Sequence, residues 1–231
     1  MHFLSKTLIA CTLVMAGTSV ANAGVVIGGT RVIYDGNKKE SSISVNNPDS
    51  TPYLIQSWVE TLNEGAEKAP FIITPPLYRL DKDQQNVERI VLAGALPQDK
   101  ESLFWLNIKA IPSASRKDNT LQIAVKTRIK LIYRPAALKG STPENMADKL
   151  TWQQSGGQII VTNPTSFVMN FNEINVNGRK LENVSFVLPG STARFDLPKG
   201  ISSGAVTFKL INDYGGLGKV RISHQTQKTL M

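Results

Sequence analysis

The segment from Asn119 to Pro135 constrains the fold more than any other part of this 231-residue chain. It reads NTLQIAVKTRIKLIYRP, with mostly apolar residues at odd positions and mostly polar residues at even positions. This period of two predicts a strand with one buried face. At about 3.3 Å per residue, fifteen residues would span roughly 50 Å, more than twice the length of a typical strand. Part of the apolar face is therefore expected to extend beyond its own sheet.

The apolar residues at the start of this run, Leu121, Ile123 and Val125, need a partner. An uncovered strand edge with alternating aliphatic side chains is an aggregation hazard. We therefore expect the unfinished fold of another protein to pair with this strand and to cover these side chains. Self-pairing of the free protein would protect the same edge.

The first 23 residues have the features of a secretory signal. An apolar run from Leu8 to Gly17 is followed by the small-residue cleavage site Ala21-Asn22-Ala23. A lipoprotein signal at Leu8 to Cys11 is the alternative, but its apolar run lies after the cysteine instead of before it. We expect the mature chain to begin at Gly24. We expect no membrane anchor either, because no later stretch has about twenty uninterrupted apolar residues.

Removal of residues 1–23 would change the chemistry of the chain. It takes away Cys11, the only cysteine, which excludes disulfides, cysteine catalysis and cysteine-ligated metal. The formal charge of +8 falls to +7, because the signal contains one cation and no acid. Such a basic exported protein is expected to meet acidic polypeptides, chain-terminal carboxylates or an anionic membrane surface, and not nucleic acid.

After Gly24, short alternating segments separated by turn residues predict an all-β fold with two immunoglobulin-like β-sandwich domains. We assign residues 24–138 to the first domain, 139–145 to a linker and 146–231 to the second domain. Pro75-Pro76 predicts a bend with a cis-proline, and Trp58 is expected in the first core. The predicted strands of the first domain are Val25–Tyr34, Ser41–Val45, Tyr53–Glu60, Phe71–Thr74, Leu77–Leu80, Val87–Leu92 and Leu103–Ile108, before the long run. Those of the second are Leu150–Gln153, Ile159–Thr162, Phe167–Ile174, Val184–Leu188, Ala193–Leu197, Val206–Ile211 and Val220–Ser223.

Catalytic chemistry lacks candidate residues. The mature chain contains one histidine, His224, and has no serine elbow and no carboxylates at metal-ligand spacing. The glycine-rich segment 215–219 is followed by Val220 where a phosphate loop needs Ser or Thr, so we interpret it as a turn. We therefore expect no enzyme, no cofactor and no metal site.

Arg31 and Lys130 are cations in the middle of predicted strands. If they meet in a groove between the domains, they form a forked site for a carboxylate, with a planar pair of donors from Arg31 and a point charge from Lys130. Alternatively, both face solvent on the polar side of their strands, and periodicity alone does not separate the two readings. Lys130 is at an even position and Leu121 at an odd one. In a strand these positions point to opposite faces, so the cation and the apolar row need not share a face.

Several separated motifs resemble one family, the periplasmic pilus-assembly chaperones of the PapD/FimC type. The resemblance covers essentially the whole mature chain. The motifs are TRVIY at Thr30 to Tyr34, ITPPL at Ile73 to Leu77, LPQDKESLFWLNIKAIP at Leu96 to Pro112, RIKLIYRPA at Arg128 to Ala136 and INDYGG at Ile211 to Gly216.

The resemblance implies a boomerang of two domains that works in the periplasm on pilus subunits and adhesins. The terminal carboxylate of the subunit would be anchored by Arg31 and Lys130. Leu121, Ile123 and Val125 would insert into a subunit that lacks its last strand, which is donor-strand complementation. The outer-membrane usher would be a second partner, through the N-terminal domain.

The resemblance also implies a charge network between Glu101, Arg134 and Asp213 that links the domains, although the residues alone predict surface ions. The loop Ser113 to Asn119 is short and resembles the subgroup that builds rigid adhesive pili. The competing hypothesis is a secreted two-domain adhesin or carbohydrate-binding module of immunoglobulin-like fold. Such a module would expose Trp or Tyr for sugar stacking, whereas the three tryptophans lie in strand patterns where core packing is the commoner role: Trp58, Trp105 and Trp152.

Overall fold

The computed structural model describes residues 24–63, 68–113, 121–201 and 203–223. Two separate hydrophobic cores lie within these ranges, the first formed by residues between Val32 and Tyr133 and the second by residues between Ala147 and Leu210. Two sheets enclose each core. The predicted all-β fold with two sandwiches is therefore confirmed. The predicted signal and His224 lie outside the described residues.

The first domain consists of nine described strands in two sheets. One sheet has the order β1-β3-β7-β5 and the other the order β2-β9-β8-β4-β6. The peptide bond between Thr74 and Pro75 is cis, as predicted. The strands are β1 (Val26–Ile27), β2 (Arg31–Asp35), β3 (Ser41–Asn46), β4 (Tyr53–Glu60), β5 (Phe71–Thr74), β6 (Leu77–Leu80), β7 (Gln85–Leu92), β8 (Ser102–Pro112) and β9 (Val125–Arg134).

The first predicted strand, Val25–Tyr34, is in fact two strands in different sheets. β1 pairs with β3, whereas β2 pairs in parallel with β9. The chain crosses between the sheets at Gly28, where an added Cβ would collide with the Ser44 hydroxyl. This crossing places Arg31 directly beside Lys130.

The long predicted strand is shorter than expected. β9 begins at Val125, which pairs with Ala110 of β8, and residues 121–124 are not in a regular strand. Further along β8, Pro112 has no N–H to donate, so the ladder of backbone hydrogen bonds cannot continue in the same way. The prediction of a strand from Asn119 was therefore wrong at its N-terminal end, and residues 119 and 120 lie outside the described ranges.

Two tryptophans of the first domain lie on the outer face of its larger sheet. In β4 the buried residues are Tyr53, Ile55 and Ser57, so Trp58 points the other way and is half-buried. Trp105 of β8 is also half-buried. The expectation that these two rings pack in the core was wrong, because alternation separates two faces but does not say which one is inside. Trp152 of the second domain is buried, as predicted.

The second domain consists of a three-stranded sheet, β10-β11-β15, packed against a sheet built on β12. Its seven predicted strands are present with shifted ends, and the two-residue strand β13 was not predicted. A 3-10 helix (Ala136–Leu138), α1 (Pro143–Met146) and a second 3-10 helix (Ala147–Lys149) connect the domains. The strands are β10 (Thr151–Ser155), β11 (Gln158–Thr162), β12 (Met169–Val176), β13 (Arg179–Lys180), β14 (Phe186–Val187), β15 (Thr192–Asp196), β16 (Val206–Leu210) and β17 (Arg221–Ile222).

The two domains contact each other through a small apolar cluster. Leu103 and Ile132 of the first domain pack with Val168 of the second, and all three side chains are buried. Four partly buried residues surround them: Ile33, Leu62, Phe186 and Leu188. The outer face of β9 therefore lies against the second domain near its C-terminal end. None of the helices in the described ranges has the length and hydropathy needed to cross a membrane.

Candidate functional site

Arg31 and Lys130 lie side by side where β2 begins to pair with β9. Arg31 Nη1 donates a hydrogen bond to the Ile211 carbonyl oxygen at 3.5 Å, and Lys130 Nζ donates to Asn170 Oδ1 at 2.6 Å. Both acceptors belong to the second domain. The sequence-predicted pair therefore lies in the cleft between the domains, and both of its acceptors are neutral oxygens.

Burial makes the charge on this pair costly. It lowers the pKa of Lys130 to about 8, and the neighbouring charge of Arg31 lowers it further in the same direction. Burial also lowers the pKa of Arg31, and Arg31 Nε has no hydrogen-bond partner among the described residues. Within the described ranges neither cation forms an ion pair. The charges of Asp213 and Glu144 oppose the shift on Arg31 without forming an ion pair with it. Two adjacent, partly desolvated cations that lack an ion pair favour binding of an anion.

Arg31 also lines a groove of about 660 Å³ on the other side of β2. Its walls include residues of β3 together with Asp213 and Tyr214. Lys130 is not among the described residues that line this groove. An anion that contacts both cations would therefore lie on the β9 side of Arg31 and not inside the groove.

The apolar row Leu121, Ile123 and Val125, called the donor row below, is exposed to solvent. The exposed fractions are 83%, 62% and 55%. Further along β9, Ile129 and Leu131 have the same parity and are buried in the first core, at 8% and 0% exposure. The inward face of β9 therefore continues past the end of the sandwich as an uncovered apolar surface, and the donor row is not sealed inside the protein.

One edge of β9 is unpaired over part of its length. β8 pairs with β9 from Val125 to Tyr133, whereas β2 pairs with the opposite edge only from Lys130 to Arg134. In the part of the chain that the structure describes, no strand covers that edge from Val125 to Ile129. This unpaired stretch ends at Lys130, which pairs with Arg31 of β2.

Glu101, Arg134 and Asp213, called the charge network below, connect the domains. Arg134 Nε donates to Glu101 Oε1 at 2.7 Å, and the two Nη atoms of Arg134 donate to the Asp213 carboxylate at 2.6 and 2.8 Å. Glu101 Oε2 accepts a hydrogen bond from the Val168 amide at 2.7 Å. Burial raises the pKa of Glu101 to about 7, although the Arg134 charge opposes this shift. Glu101 is 3% exposed, so the expectation of surface ions from the residues alone was wrong for this carboxylate.

The sequence reasoning missed the residues that hold Lys130. Its Nζ lies 4.7 Å from the centroid of the Phe186 ring, and its acceptor Asn170 is 3% exposed. Asn170 stands between Met169 and Phe171 in the strand FVMNFNEI, and a polar residue in such an apolar run was the available signal. Among the described residues, no group of three or more His, Cys, Asp or Glu side chains is placed to hold a metal ion.

Comparison with known proteins identifies the family of the chain. Two family models match, described as "Pili and flagellar-assembly chaperone, PapD N-terminal domain" over residues 24–139 and "Pili assembly chaperone PapD, C-terminal domain" over residues 145–221. Together they cover most of the chain.

Named relatives and solved structures agree with these matches. The chain is 44% identical to the chaperone protein LpfB of Salmonella typhimurium over 221 residues, which cover 91% of this chain and 94% of the relative. It is 42% identical to the chaperone protein FimC of Escherichia coli K12 over 220 residues, with coverage of 93% and 89%.

Two structures are similar as well: the Salmonella enterica SafA pilin in complex with the SafB chaperone, with a TM-score of 0.80, and the E. coli chaperone DraB, with a TM-score of 0.78. Each is 36% identical and covers 88% of this chain and 97% of the matched chain. This chain therefore belongs to the family of the PapD-type pilus-assembly chaperones.

Proposed function

We propose that this pilus-assembly chaperone binds, folds and caps pilus subunits by donor-strand complementation and delivers them to an outer-membrane usher. The observation that carries the mechanism is the donor row, an apolar surface that extends beyond its own sandwich next to an unpaired strand edge. A subunit that lacks one strand has an open edge and an exposed core. Backbone hydrogen bonds from β9 would satisfy that edge, and the donor row would fill that core.

The position of the two cations sets the direction of the bound strand. A terminal carboxylate held by Arg31 and Lys130 would lie where the unpaired edge of β9 ends. The last strand of the subunit would then run from the donor row towards Lys130, parallel to β9 and in line with β2. Because a shift by one residue would turn every side chain to the other face, the anchored carboxylate would also set the register of the pairing.

The donor row is expected to supply most of the binding free energy. A fully buried aliphatic side chain contributes about 1.5 to 3 kcal/mol, and the donor row contains three. Exposed ion pairs contribute about 0 to 1 kcal/mol each. The two cations therefore serve mainly as the anchor that fixes the end of the subunit, although their burial makes them stronger than surface ions.

Location and partners follow from the family and from the leader-like N-terminus. Residues 1–23 would direct the chain to the periplasm, where pilus subunits and adhesins would be its clients. The SafB chaperone is similar over most of this chain and is in complex with a pilin, which supports a pilin as partner here. Membership of the short-loop subgroup stays a prediction, since residues 114–120 lie outside the described ranges.

A carbohydrate-binding module is less well supported by the outer face of the sheet. Trp58 and Trp105 are half-buried there, but Lys126 Nζ lies 5.9 Å from the Trp58 ring centroid and Arg128 Cζ lies 4.9 Å from that of Trp105. The cations occupy ring faces on which a sugar would stack. A chaperone also needs no catalytic group, in agreement with the family.

Co-expression with a pilus subunit tests the proposal. The wild-type protein should accumulate the subunit as a soluble one-to-one complex in the periplasm, which can be measured by co-purification. Ile123→Asp should abolish the complex while the chaperone remains folded, because a charged side chain cannot enter an apolar groove. Ile72→Asp is the matched control, since Ile72 is 54% exposed on β5 in the other sheet. Full binding by Ile123→Asp would exclude strand donation through this row.

A further inference from the structure

Asn170 lies beside the two cations of the proposed anchor. It is the second residue of β12, and its backbone carbonyl oxygen accepts a hydrogen bond from the Ile211 amide at 2.8 Å. The Ile211 carbonyl oxygen in turn accepts from Arg31 Nη1, and the Asn170 side chain accepts from Lys130 Nζ. Arg31, Lys130 and Asn170 therefore converge at one place in the cleft between the domains.

The contact with Lys130 fixes the orientation of the Asn170 amide. Lys130 Nζ donates to Asn170 Oδ1 at 2.6 Å. An ammonium group has three donors and no acceptor, so only the oxygen end of an amide can face it. The amino end, Nδ2, is bonded to the same carbon as Oδ1 and therefore lies within a few ångströms of the Lys130 amine. The amide thus holds two N–H donors next to the cations.

The Nδ2 atom of Asn170 has unused donors in a place that little water reaches. It forms no hydrogen bond with any of the described residues, and Asn170 is 3% exposed. Nδ2 is not among the unpartnered side-chain atoms that are fully shielded from solvent, so an incoming group can reach it. Because buried polar groups nearly always have hydrogen-bond partners, an acceptor oxygen from a ligand would satisfy this donor.

Phe186 limits the directions from which a ligand can approach Lys130. The Lys130 amine lies 4.7 Å from the centroid of the Phe186 ring, and Phe186 pairs with Asn170 between β14 and β12. The ring covers one side of the amine, and one of the three amine protons goes to Asn170 Oδ1. A carboxylate must therefore accept one of the remaining protons. Its second oxygen is then free to accept from a neighbouring donor.

We propose that Asn170 is a third binding residue of the carboxylate anchor. On the proposed function, on which this inference rests, one oxygen of the subunit's terminal carboxylate accepts from Lys130 Nζ and the other accepts from Asn170 Nδ2. Arg31 supplies the remaining donors and positive charge. A hydrogen bond to an ionised acceptor is stronger than one to a neutral carbonyl, so Asn170 increases the preference of the anchor for a free chain terminus.

A pair of peptides measures this preference on the chaperone. A fluorescently labelled twelve-residue peptide that alternates valine with serine is made with a free C-terminal carboxylate and with an amidated C-terminus. Fluorescence anisotropy gives the Kd of each, and the wild type should bind the free acid more tightly. Asn170→Leu has a similar shape without the donors, and it should reduce that preference roughly tenfold. Affinity for the amidated peptide should change by less than about twofold.

A second background separates direct contact from an effect through Lys130. Lys130→Met removes the amine, so the remaining preference for the free acid depends on Arg31 and Asn170. Adding Asn170→Leu to Lys130→Met should lower that remaining preference again, by roughly threefold or more. If Lys130→Met alone abolishes the preference, or if Asn170→Leu changes nothing in that background, Asn170 acts only through Lys130 and the inference fails.

Asn175→Leu is the matched control. Asn175 is half-buried on the same strand, five positions further along, where it pairs with Thr207. Its substitution should leave the preference for the free acid unchanged. If Asn170→Leu does not fold, Asn170→Asp takes its place, because the new carboxylate would pair with Lys130 and repel the peptide terminus. The preference should then be lost or inverted, and an unchanged preference in either Asn170 variant would overturn the inference.

The wild-type protein separates this inference from the proposed function. Equal affinities for the free acid and the amidated peptide in the wild type would contradict the carboxylate anchor itself. A clear preference in the wild type that survives unchanged in Asn170→Leu would contradict only the role of Asn170.

Discussion

Lys130 carries its charge where burial opposes it. A lowered pKa of about 8 means that the folded protein disfavours the protonated amine relative to the unfolded chain, whose amine titrates near 10.5. Between pH 8 and pH 10.5 the unfolded chain binds a proton at this amine that the folded protein does not bind. The free energy of unfolding therefore rises with pH over this range, which is the opposite of the effect of a stabilising ion pair on a lysine. At neutral pH the buried charge on Lys130 therefore destabilises the folded protein, at the position where the subunit carboxylate is proposed to bind.

The first prediction concerns the pH dependence of carboxylate binding. Above pH 8 the free protein must take up a proton before Lys130 can pair with a carboxylate, so affinity should fall with pH, by up to about tenfold per unit. Titration of a subunit peptide from pH 6 to pH 10 measures this dependence. The amidated peptide is the control and should show a flat profile. A flat profile for the free acid as well would contradict a role for Lys130 in the anchor.

Glu88 supports a second prediction at the same scale. It is fully buried between the sheets of the first domain, where its Oε1 accepts hydrogen bonds from Ser57 Oγ at 2.6 Å and Tyr78 Oη at 2.9 Å. Its Oε2 has no partner among the described residues. Burial raises the pKa of Glu88, so its contribution to stability is present below the unfolded pKa and is lost as pH rises through the folded one.

Glu88→Gln should therefore stabilise the protein at pH 7 relative to the wild type, and should flatten the rise in stability towards acid pH. Urea unfolding between pH 4 and pH 8 measures both effects. Glu173→Gln should act in the opposite direction, because a hydrogen bond from Lys209 lowers the pKa of Glu173. If the free energy of unfolding depended on pH in the same way in Glu88→Gln and the wild type, Glu88 would not have a raised pKa in the folded protein.

At the scale of single elements, the unpaired edge of β9 and the donor row have a consequence for the free protein. An exposed strand edge with aliphatic side chains tends to pair with another copy of itself. We expect the free chaperone to self-associate with rising concentration, as measured by sedimentation velocity, and Ile123→Lys to shift it to monomer. Leu77→Lys is the control, since Leu77 is 54% exposed on β6, the strand at the other edge of the same sheet. Equal association of the wild type and Ile123→Lys would contradict self-pairing through β9.

The strand predictions were accurate where the alternation of apolar and polar residues indicates the two faces of a strand. It located β4, β5 and β6 with their ends, because a period of two reflects the two faces of a strand directly. It failed at Trp58, because the inward neighbour is Ser57, a polar residue that is buried to reach Glu88. It also failed at the start of β9, because the end of a strand depends on its hydrogen-bonding partner and not on its own side chains.

The residues of the candidate site were harder to predict from the sequence than the strands were. Periodicity left Arg31 and Lys130 undecided between the cleft and solvent, since no local pattern encodes the parallel register that pairs them. Asn170 and Phe186 belong to the other domain, at least 40 positions along the chain from Lys130. The charge network came from the family resemblance alone, because burial of Glu101 depends on how two domains meet.

At the scale of the whole molecule, the contacts between the domains in the described part of the chain include an apolar cluster and a charge network. Because Arg31 and Lys130, the proposed anchor, contact the second domain at Ile211 and Asn170, their positions depend on how the two domains are placed. The charge network fixes that placement next to the anchor, since Asp213 follows Ile211 by two residues. Interdomain geometry and binding are therefore expected to change together.

Asp213→Asn should weaken the contact that fixes the placement of the two domains. It leaves the Arg134 guanidinium partly unpaired in a half-buried site, at a cost of roughly 1 to 3 kcal/mol. Scanning calorimetry should resolve two transitions instead of one, small-angle scattering should show a wider distribution of shapes, and subunit capture should fall. Asp148→Asn is the control, because Asp148 pairs with Arg221 within the second domain. A single unchanged transition with full capture would show that the network does not couple the domains.

On the proposed mechanism, the apolar row that leads from Leu121 into the inward face of β9 would measure the length of the strand that it binds. Lys130 lies nine positions after Leu121, a distance of about 30 Å when that chain is fully extended. Two extra residues in the subunit's last strand would keep its faces but move its end about 7 Å from the anchor, and one extra residue would turn its apolar side chains outward. On the proposed mechanism, different subunits handled by this protein would therefore share one strand length, so that each could occupy the same binding site.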